Sequence, residues 1–466
     1  MPSFSKSSLV NAPVADLARW HLNPGALRRL VPPWSGARVL ENPPQLVDGA
    51  LVRLEVPVPP LRRREWVSRI EGVEPGRGFT DVQVSGPFRV WEHHHAFLDG
   101  DDPQTSRIRD QLRYELREPP PVSMIARRIV DAQLVRMFQW RHRRTRNDLQ
   151  LLGGTNWLQG TVLIGGASGL VGTALRDLLE VAGCTVRRLV RRRPDPERGE
   201  FEWDPAKGVI DESALQGVDA VVNLSGAGIA DQRWSEARKR LIVDSRIDST
   251  GLLARSIAAL DGPRPALVSA SAIGYYGNRP EGRCDESEPP GEGFLARTCV
   301  QWEEACRPAL DAGARVAHLR IGVVLAFAGG ALAKLRRPVS LGLGGPIGDG
   351  RQGMSWIALD DLVGVIAHAL FDDRYAGPIN CVAPHPLSNG AFMKTLGSVM
   401  RRPAVLPLPS AMARLAFGEM AQEALIEGVY AEPARLEQLG YRFLFPELRQ
   451  SLSFELGLPG EPSASR

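Results

Sequence analysis

Lysine is nearly missing from this chain. Lys6, Lys207, Lys239, Lys334 and Lys394 are the only five among 57 basic residues, so the positive charge is almost all arginine. The clusters RHRRTR (141–146) and RRLVRRRP (187–194) lack the interleaved aromatics of single-strand binders. The formal net charge is only +4, so nucleic acid is not an expected partner. Long apolar runs are missing too, since no window approaches the roughly eighteen apolar residues of a membrane span. The opening MPSFSKSSLVNAPVADL has neither a basic start before an apolar run nor a small-residue cleavage site, which points to a cytoplasmic protein. Cysteine is sparse: Cys184, Cys284, Cys299, Cys306 and Cys381 are odd in number, widely spaced and form no CxxC pair. That pattern excludes a disulfide framework and a cysteine zinc site, leaving reduced thiols that pack.

What is present begins with length, because 466 residues exceed one ordinary core and imply two or three domains. In the first 150 residues SFSKSSLVNAP reads as a strand and VADLARWHLNPGALRRLVPP as a helical stretch broken by Pro24. ALVRLEVPV, REWVSRIEGVE, GFTDVQVSG, RVWEHHHAFLDG and RIRDQLRYELRE follow as further strands. Met124, Ile125, Ile129, Leu134, Met137 and Phe138 then recur at helical spacing, so a long amphipathic helix closes an antiparallel sheet. This order, with WEHHHAF and DQLRYEL, resembles the helix-grip fold of START-like and polyketide-cyclase-like proteins. The resemblance implies a cavity for an apolar small molecule. Of His93, His94 and His95 at most His93 and His95 share a strand face. No third ligand at suitable spacing is apparent, so they read as a polar strand edge rather than a metal site. LLGGTNWLQG (151–160) reads as a linker.

From Thr161 strands and helices alternate: TVLIGG, then helical LVGTALRDLLEVAG, then CTVRRLVRR, and later DAVVNLSG, PALVSASAIG and RVAHLRIGVVL. Alternation of this kind predicts a parallel, doubly wound sheet. In IGGASGLVG, Gly166, Gly169 and Gly172 stand where the first strand turns into the first helix. Gly166 would permit a tight turn, Gly169 close approach of a pyrophosphate, and Gly172 close helix packing, with helix amides facing the anion. Where an NAD-selective fold carries an acidic residue after the second strand, Arg191 and Arg192 stand instead. Two guanidiniums there favour a 2′-phosphate, hence NADP(H).

GGASGLVG, NLSGAGIADQRWSEARKRLIVDSRIDSTGLL, SASAIGYYG, DESEPPGEGFLARTCVQWEEA, LGLGGPIGDGRQGMSWIALDDL and LPLPSAMARLAFGEMA resemble the atypical short-chain dehydrogenase/reductases known as NAD(P)-dependent epimerases, some of them called cell-division-inhibitor-like. The resemblance spans about residues 160–452, and some relatives carry a START-like domain in front. It implies that Gly166, Ser168, Gly169, Leu170 and Gly172 lie along the pyrophosphate and Arg191 with Arg192 near the adenosine ribose phosphate. Leu224, Ser225 and Gly226 would border the adenine or ribose, and Arg246 would point toward the cofactor or lie on a helix surface. The expected class is therefore α/β, a Rossmann-like doubly wound parallel sheet behind an α+β helix-grip domain. Its expected parts are 1–150, a linker 151–160, a cofactor domain 161–402, a small C-terminal domain 403–455 and a disordered tail 456–466.

Short-chain dehydrogenases use a tyrosine with a lysine four residues later, plus a serine or threonine. None of the six tyrosines here has lysine at that spacing. The matching helix FLARTCVQWEEA places Leu295 and Cys299 where the pair would stand, and SASAIGYYG places Ala272 in the serine position with Ser271 beside it. Tyr275, Tyr276 and Ser271 remain the catalytic candidates, with Asp285 and Glu286 or Asp360 and Asp361 as possible bases. The expected activity is that of an NADP(H)-dependent oxidoreductase or epimerase on a small carbonyl or hydroxyl compound. The alternatives are a cofactor-binding sensor or scaffold without catalysis, and an apolar-ligand carrier acting through the N-terminal domain.

Overall fold

The computed structural model describes residues 1–58, 62–117, 122–153 and 158–459. They form two compact units: Met1–Gln159 with Asp177–Cys184 and the chain from Phe454 on, and Gly160–Arg176 with Thr185–Ser453.

In the first unit β1 (Ser3–Val10) leads into α1 (Val14–Leu22) and α2 (Ala26–Leu30). β2 (Arg38–Glu41), β3 (Leu51–Val58), β4 (Arg62–Glu74), β5 (Gly78–Ser85), β6 (Val90–Asp99) and β7 (Ser106–Glu115) follow, and then α3 (Val122–Gly153). All seven strands form one antiparallel sheet in the order β1-β7-β6-β5-β4-β3-β2. The short β2 has no clear alternation, and its sequence gives no strand signal. Alternation is strict on β7, where Ser106, Ile108, Asp110, Leu112 and Tyr114 are buried. Trp91, Leu112 and Tyr114 of the sheet pack against Leu134 and Phe138 of α3, the grip expected from the helical spacing.

One expectation fails here. His93 and His95 are not a polar strand edge: they lie on the buried face of β6 between Trp91 and Phe97, and only His94 is exposed. Period-two alternation around two large aromatics carries them inward. The helix α3 also runs into the segment expected as linker, with Leu151 and Leu152 buried. Residues 154–157 of that segment lie outside the described residues, as does the expected disordered tail from 460 on; Leu456 is buried.

In the second unit β8 (Thr161–Gly165), the part of α4 (Leu170–Ala182) up to Arg176, β9 (Thr185–Val190), β10 (Glu200–Asp204), β11 (Val209–Ile210), β12 (Ala220–Asn223), α5 (Glu236–Ala258) and β13 (Ala266–Ala272) come first. After them come β14 (Arg279–Cys284), α6 (Phe294–Glu304), α7 (Arg307–Asp311), β15 (Val316–Ile321), β16 (Val323–Ala326), α8 (Gly330–Ser340), β17 (Gly353–Met354), β18 (Trp356–Ala358), α9 (Leu359–Phe371) and β19 (Gly377–Cys381). The main sheet runs β11-β10-β9-β8-β12-β13-β15-β19 and is parallel except at the β10–β11 edge. Strand order reverses between β8 and β12, the switch point outside which doubly wound folds open a crevice.

The C-terminal stretch adds β20 (Leu387–Ser388), α10 (Asn389–Met400), α11 (Ser410–Phe417), α12 (Glu419–Ala421), β21 (Val429–Ala431), α13 (Ala434–Gln438) and α14 (Leu448–Glu455). It is woven into the second unit, because β21 sits between β14 and β17 in a small sheet of order β14-β21-β17-β20. Glu423 seals the bond between the two stretches: its carboxylate accepts from the amides of Phe294 and Leu295, at 2.9 and 2.8 Å, and so caps α6.

Candidate functional site

The loop between β8 and α4 lies at the switch point, and its three glycines meet different demands. Gly166 holds φ +81°, and a Cβ there would come 2.7 Å from the carbonyl carbon of Leu224 and 2.9 Å from the Ser225 nitrogen. Only glycine fits such a backbone. A Cβ on Gly172 would run into the Gly166 carbonyl oxygen and approach the Cα of Ala167 to 2.9 Å, so this glycine lets the helix sit on its own loop. Gly169 differs, for its imagined Cβ would meet nothing nearer than the Gly166 oxygen at 3.3 Å. Ser168 and Gly169 are exposed, directly before the free first-turn amides of α4 at Leu170. Such amides form an anion cradle.

At the end of β9 the structure divides the expected arginine pair. Arg192 Nη2 donates to Glu200 Oε1 at 2.6 Å and Nη1 to the Arg193 carbonyl at 3.0 Å. Glu200 is buried on β10, also accepts from the Asp195 amide at 3.0 Å and lies 3.2 Å from Arg188. Burial alone would raise its carboxyl, but Arg192, the Asp195 amide and Arg188 outweigh that and hold it below the usual carboxylate range. Arg191 is exposed and, among the described residues, makes no hydrogen bond or ion pair. Of the pair, it is the one with an available guanidinium.

After β12, Leu224 donates its amide to the Gly165 carbonyl at 2.9 Å and Ser225 donates its amide to Asn223 Oδ1 at 3.1 Å. The Ser225 hydroxyl is buried without a hydrogen-bond partner, beside Gly165. Gly226 lies against the guanidinium of Arg246, which would have to give by a few tenths of an ångström for a side chain: a Cβ would come 3.2 Å from its Cζ. Arg246 is half-buried, not a plain helix-surface residue. Its Nη1 donates to the carbonyls of Ala227 and Ile242, at 3.0 and 2.8 Å, and its guanidinium lies 4.9 Å from the Trp302 ring. Burial lowers its pKa.

The catalytic candidates are less free. Ser271, Arg320 and Asn380 are register partners across β13, β15 and β19, so their side chains share one face. Ser271 Oγ donates to Glu303 Oε1 at 2.7 Å, and Glu303 takes both arms of Arg320 at 2.9 and 3.0 Å. Tyr276 is wholly buried; its hydroxyl donates to Asn380 Oδ1 at 2.7 Å and accepts from Arg320 Nη1 at 3.0 Å. Burial, only partly offset by Arg320, pushes it up to about 12. Tyr275 is half-buried with its ring 3.5 Å from the Arg320 guanidinium. Leu295 and Cys299 of α6 face Gly274, at 3.4 and 3.8 Å from its imagined Cβ. Burial pushes the Cys299 thiol up to about 12, so it is neither a base nor a nucleophile at neutral pH. Asp360 is buried, and the other three candidate carboxylates hold structure. Asp285 accepts from Ser287, Glu286 from the amides of Asn380 and Arg435, and Asp361 from the amides of Leu444 and Phe445.

Three family descriptions match the chain: polyketide cyclase/dehydrase and lipid transport over residues 10–143, the NAD dependent epimerase/dehydratase family over 162–380, and the domain of unknown function DUF1731 over 408–454. An epimerase family protein of Mycobacterium bovis is 45% identical over 299 residues, which are 64% of this chain and 98% of the relative. The chain belongs to the NAD dependent epimerase/dehydratase family. A solved nucleoside-diphosphate sugar epimerase from Corynebacterium glutamicum is similar throughout, with 32% identity, a TM-score of 0.79, and coverage of 97% of this chain and 90% of that one. Human epimerase family protein SDR39U1, solved with NADPH, is 36% identical with a TM-score of 0.58, over 64% of this chain and 98% of its own.

Within this epimerase family fold, sequence reasoning missed Glu200, Glu303, Arg320 and Asn380, which fix the expected residues from other strands and helices. No local motif announces them, because their partners lie between 8 and 104 positions away. Among the described residues, no helix is long and apolar enough to cross a membrane.

Proposed function

We propose that the second unit binds NADP(H) at the β8–α4 loop and acts as an oxidoreductase or epimerase on a small carbonyl or hydroxyl compound. One observation carries the reading. Gly169 is exposed beside the first-turn amides of the helix, with one backbone oxygen at 3.3 Å as the nearest atom to an imagined Cβ, while Arg191, one strand away, makes no hydrogen bond or ion pair among the described residues. The diphosphate would lie along Gly166, Ser168, Gly169, Leu170 and Gly172, the adenosine 2′-phosphate at Arg191, and a ribose hydroxyl at the unpartnered Ser225. Arg192 would act through Glu200, and Leu224, Gly226 and Arg246 would shape the wall. NADPH in the human relative supports the choice of cofactor. When bound, the cofactor supplies hydride; the chain's own part is to hold it and to exclude water. The five cysteines are buried thiols, in keeping with a reducing cytoplasm.

A specific observation favours a second reading, a cofactor sensor without catalysis. Ser271 and Tyr276 are tied up inside the protein, and the family resemblance assigns Leu295 and Cys299 to the positions where a tyrosine and lysine would transfer protons. Titration with NADPH, followed by cofactor fluorescence, tests both readings: no binding at millimolar cofactor overturns them. If NADPH binds, a panel of carbonyl compounds followed by NADPH absorbance decides between enzyme and sensor. The apolar-ligand carrier is tested by native mass spectrometry of the intact chain.

A further inference from the structure

The buried histidines of the first unit form a constellation with two carboxylates. Asp81 of β5 is the cross-strand partner of His93 on β6, and His95 is the partner of Asp110 on β7. All four project to the same face of the sheet, toward α3. His93 Nδ1 lies 2.8 Å and His95 Nε2 3.3 Å from the same Asp81 oxygen, Oδ2. On their far sides His93 Nε2 and His95 Nδ1 each lie 2.9 Å from Asp110 Oδ1. The other Asp110 oxygen bonds His142 Nε2 of α3 at 2.5 Å, and His142 Nδ1 reaches Ser8 Oγ at 2.9 Å.

We propose that Asp81, His93 and His95 bind a divalent transition-metal ion inside the helix-grip unit. Asp81, His93 and His95 each offer a ligand atom within 4.8 Å of the others. A tetrahedral ion with bonds of about 2.0 Å needs ligand atoms only about 3.3 Å apart, so small movements suffice. The outer groups are those a metal site requires. Asp110 hydrogen-bonds the second nitrogen of His93, as carboxylates do when they set the tautomer of metal-ligating histidines, and lies 2.9 Å from that of His95 without hydrogen-bond geometry. Trp91 Nε1 donates to Asp81 Oδ1 at 3.3 Å, leaving Oδ2 to the ion. Phe79 stacks on His95 at 4.3 Å and Phe138 meets His93 edge-on at 5.1 Å, giving a dry, rigid wall.

Charge and lone pairs point the same way. Asp110, buried, and Asp81, partly buried, carry two negative charges among rings that are neutral when they ligate; Arg141 is attracted to both, and a metal cation between the ligands adds to that balance. If His93 gives its Nε2 proton to Asp110, its Nδ1 lone pair faces the Asp81 carboxylate at 2.8 Å, an arrangement that needs a cation between them. The proton is the rival cation. In that alternative His93 is doubly protonated and the cluster is an ion-pair network alone. With three protein ligands the metal site keeps a fourth position for water or a ligand oxygen.

The test uses the full untagged chain, stripped with chelator, supplied with Zn2+ and freed of excess ion, with metal measured by mass spectrometry. About one zinc per chain is expected, and Co2+ in its place should give the visible bands of a four-coordinate ion. Asp81→Asn and His95→Gln should each lose the ion, and Asp110→Asn should weaken it about 10–100-fold. Retention of no zinc by the wild-type chain, or undiminished zinc in the variants, overturns the proposal. Should the variants fail to fold, anomalous scattering at the zinc edge from wild-type crystals decides. A peak between Asp81, His93 and His95 supports the site, and a peak elsewhere or none overturns it.

Discussion

Gly166 and Leu224 approach so closely that a methyl group on the glycine would lie 2.7 Å from the Leu224 carbonyl carbon. Both the positive φ and the neighbouring strand therefore reject a side chain at this point. Gly166→Ala should cost at least about 2 kcal/mol of stability, seen as a lower denaturation midpoint, with cofactor binding lost as well.

Gly169→Ala should behave differently. Its added methyl needs only a small shift of the loop, so the thermal midpoint should hardly move while NADPH affinity falls at least about tenfold, a loss near 1.4 kcal/mol. Equal losses of stability at Gly166 and Gly169 would remove the assignment of Gly169 to ligand approach.

Arg191→Ala should weaken NADPH about 10–100-fold and leave NADH nearly unchanged, because one charge-assisted contact to the 2′-phosphate is worth roughly 1.5–3 kcal/mol. Arg192→Ala should cost less cofactor affinity and some stability, since it bares the buried Glu200 charge. Calorimetric titration of both variants with both cofactors separates the two.

Tyr276→Phe should destabilise the protein by about 1–3 kcal/mol, leaving Arg320 and Asn380 short of a buried partner. Turnover on any substrate found should persist in this variant. A collapse of kcat with an unchanged melting point would make Tyr276 a catalytic residue instead.

Burial pushes the Asp361 carboxyl up to about 7 from an ordinary 3.8, although the amides of Leu444 and Phe445 pull it down. The folded state then keeps a proton that the unfolded chain gives up above about pH 4. This contribution is fully present below that pH, is lost as pH rises to about 7, and levels off beyond, with a slope of at most about 1.4 kcal/mol per pH unit. Asp361→Asn should flatten that part of the profile, measured as denaturant-derived stability across the window.

Much of this was legible locally. Gly166 and Gly172 could be assigned from spacing because a strand, a tight turn and a helix are consecutive in the chain. Arg191 and Arg192 looked equivalent in LVRRRP, and it took Glu200 on the next strand to tell them apart. His93 and His95 read as a polar edge for the same reason: Asp81 and Asp110 come from flanking strands, and their cross-strand register is invisible in one segment.

The sequence by itself determined the strand–helix alternation after Thr161, the glycine turn and the lack of a tyrosine–lysine pair, because backbone geometry and periodicity act over a few residues. Only the tertiary structure decided which polar side chains are spent on one another and which remain open. That choice depends on pairing between strands and on burial, where an unpaired charge costs several kcal/mol and so must find its partner wherever the fold brings one.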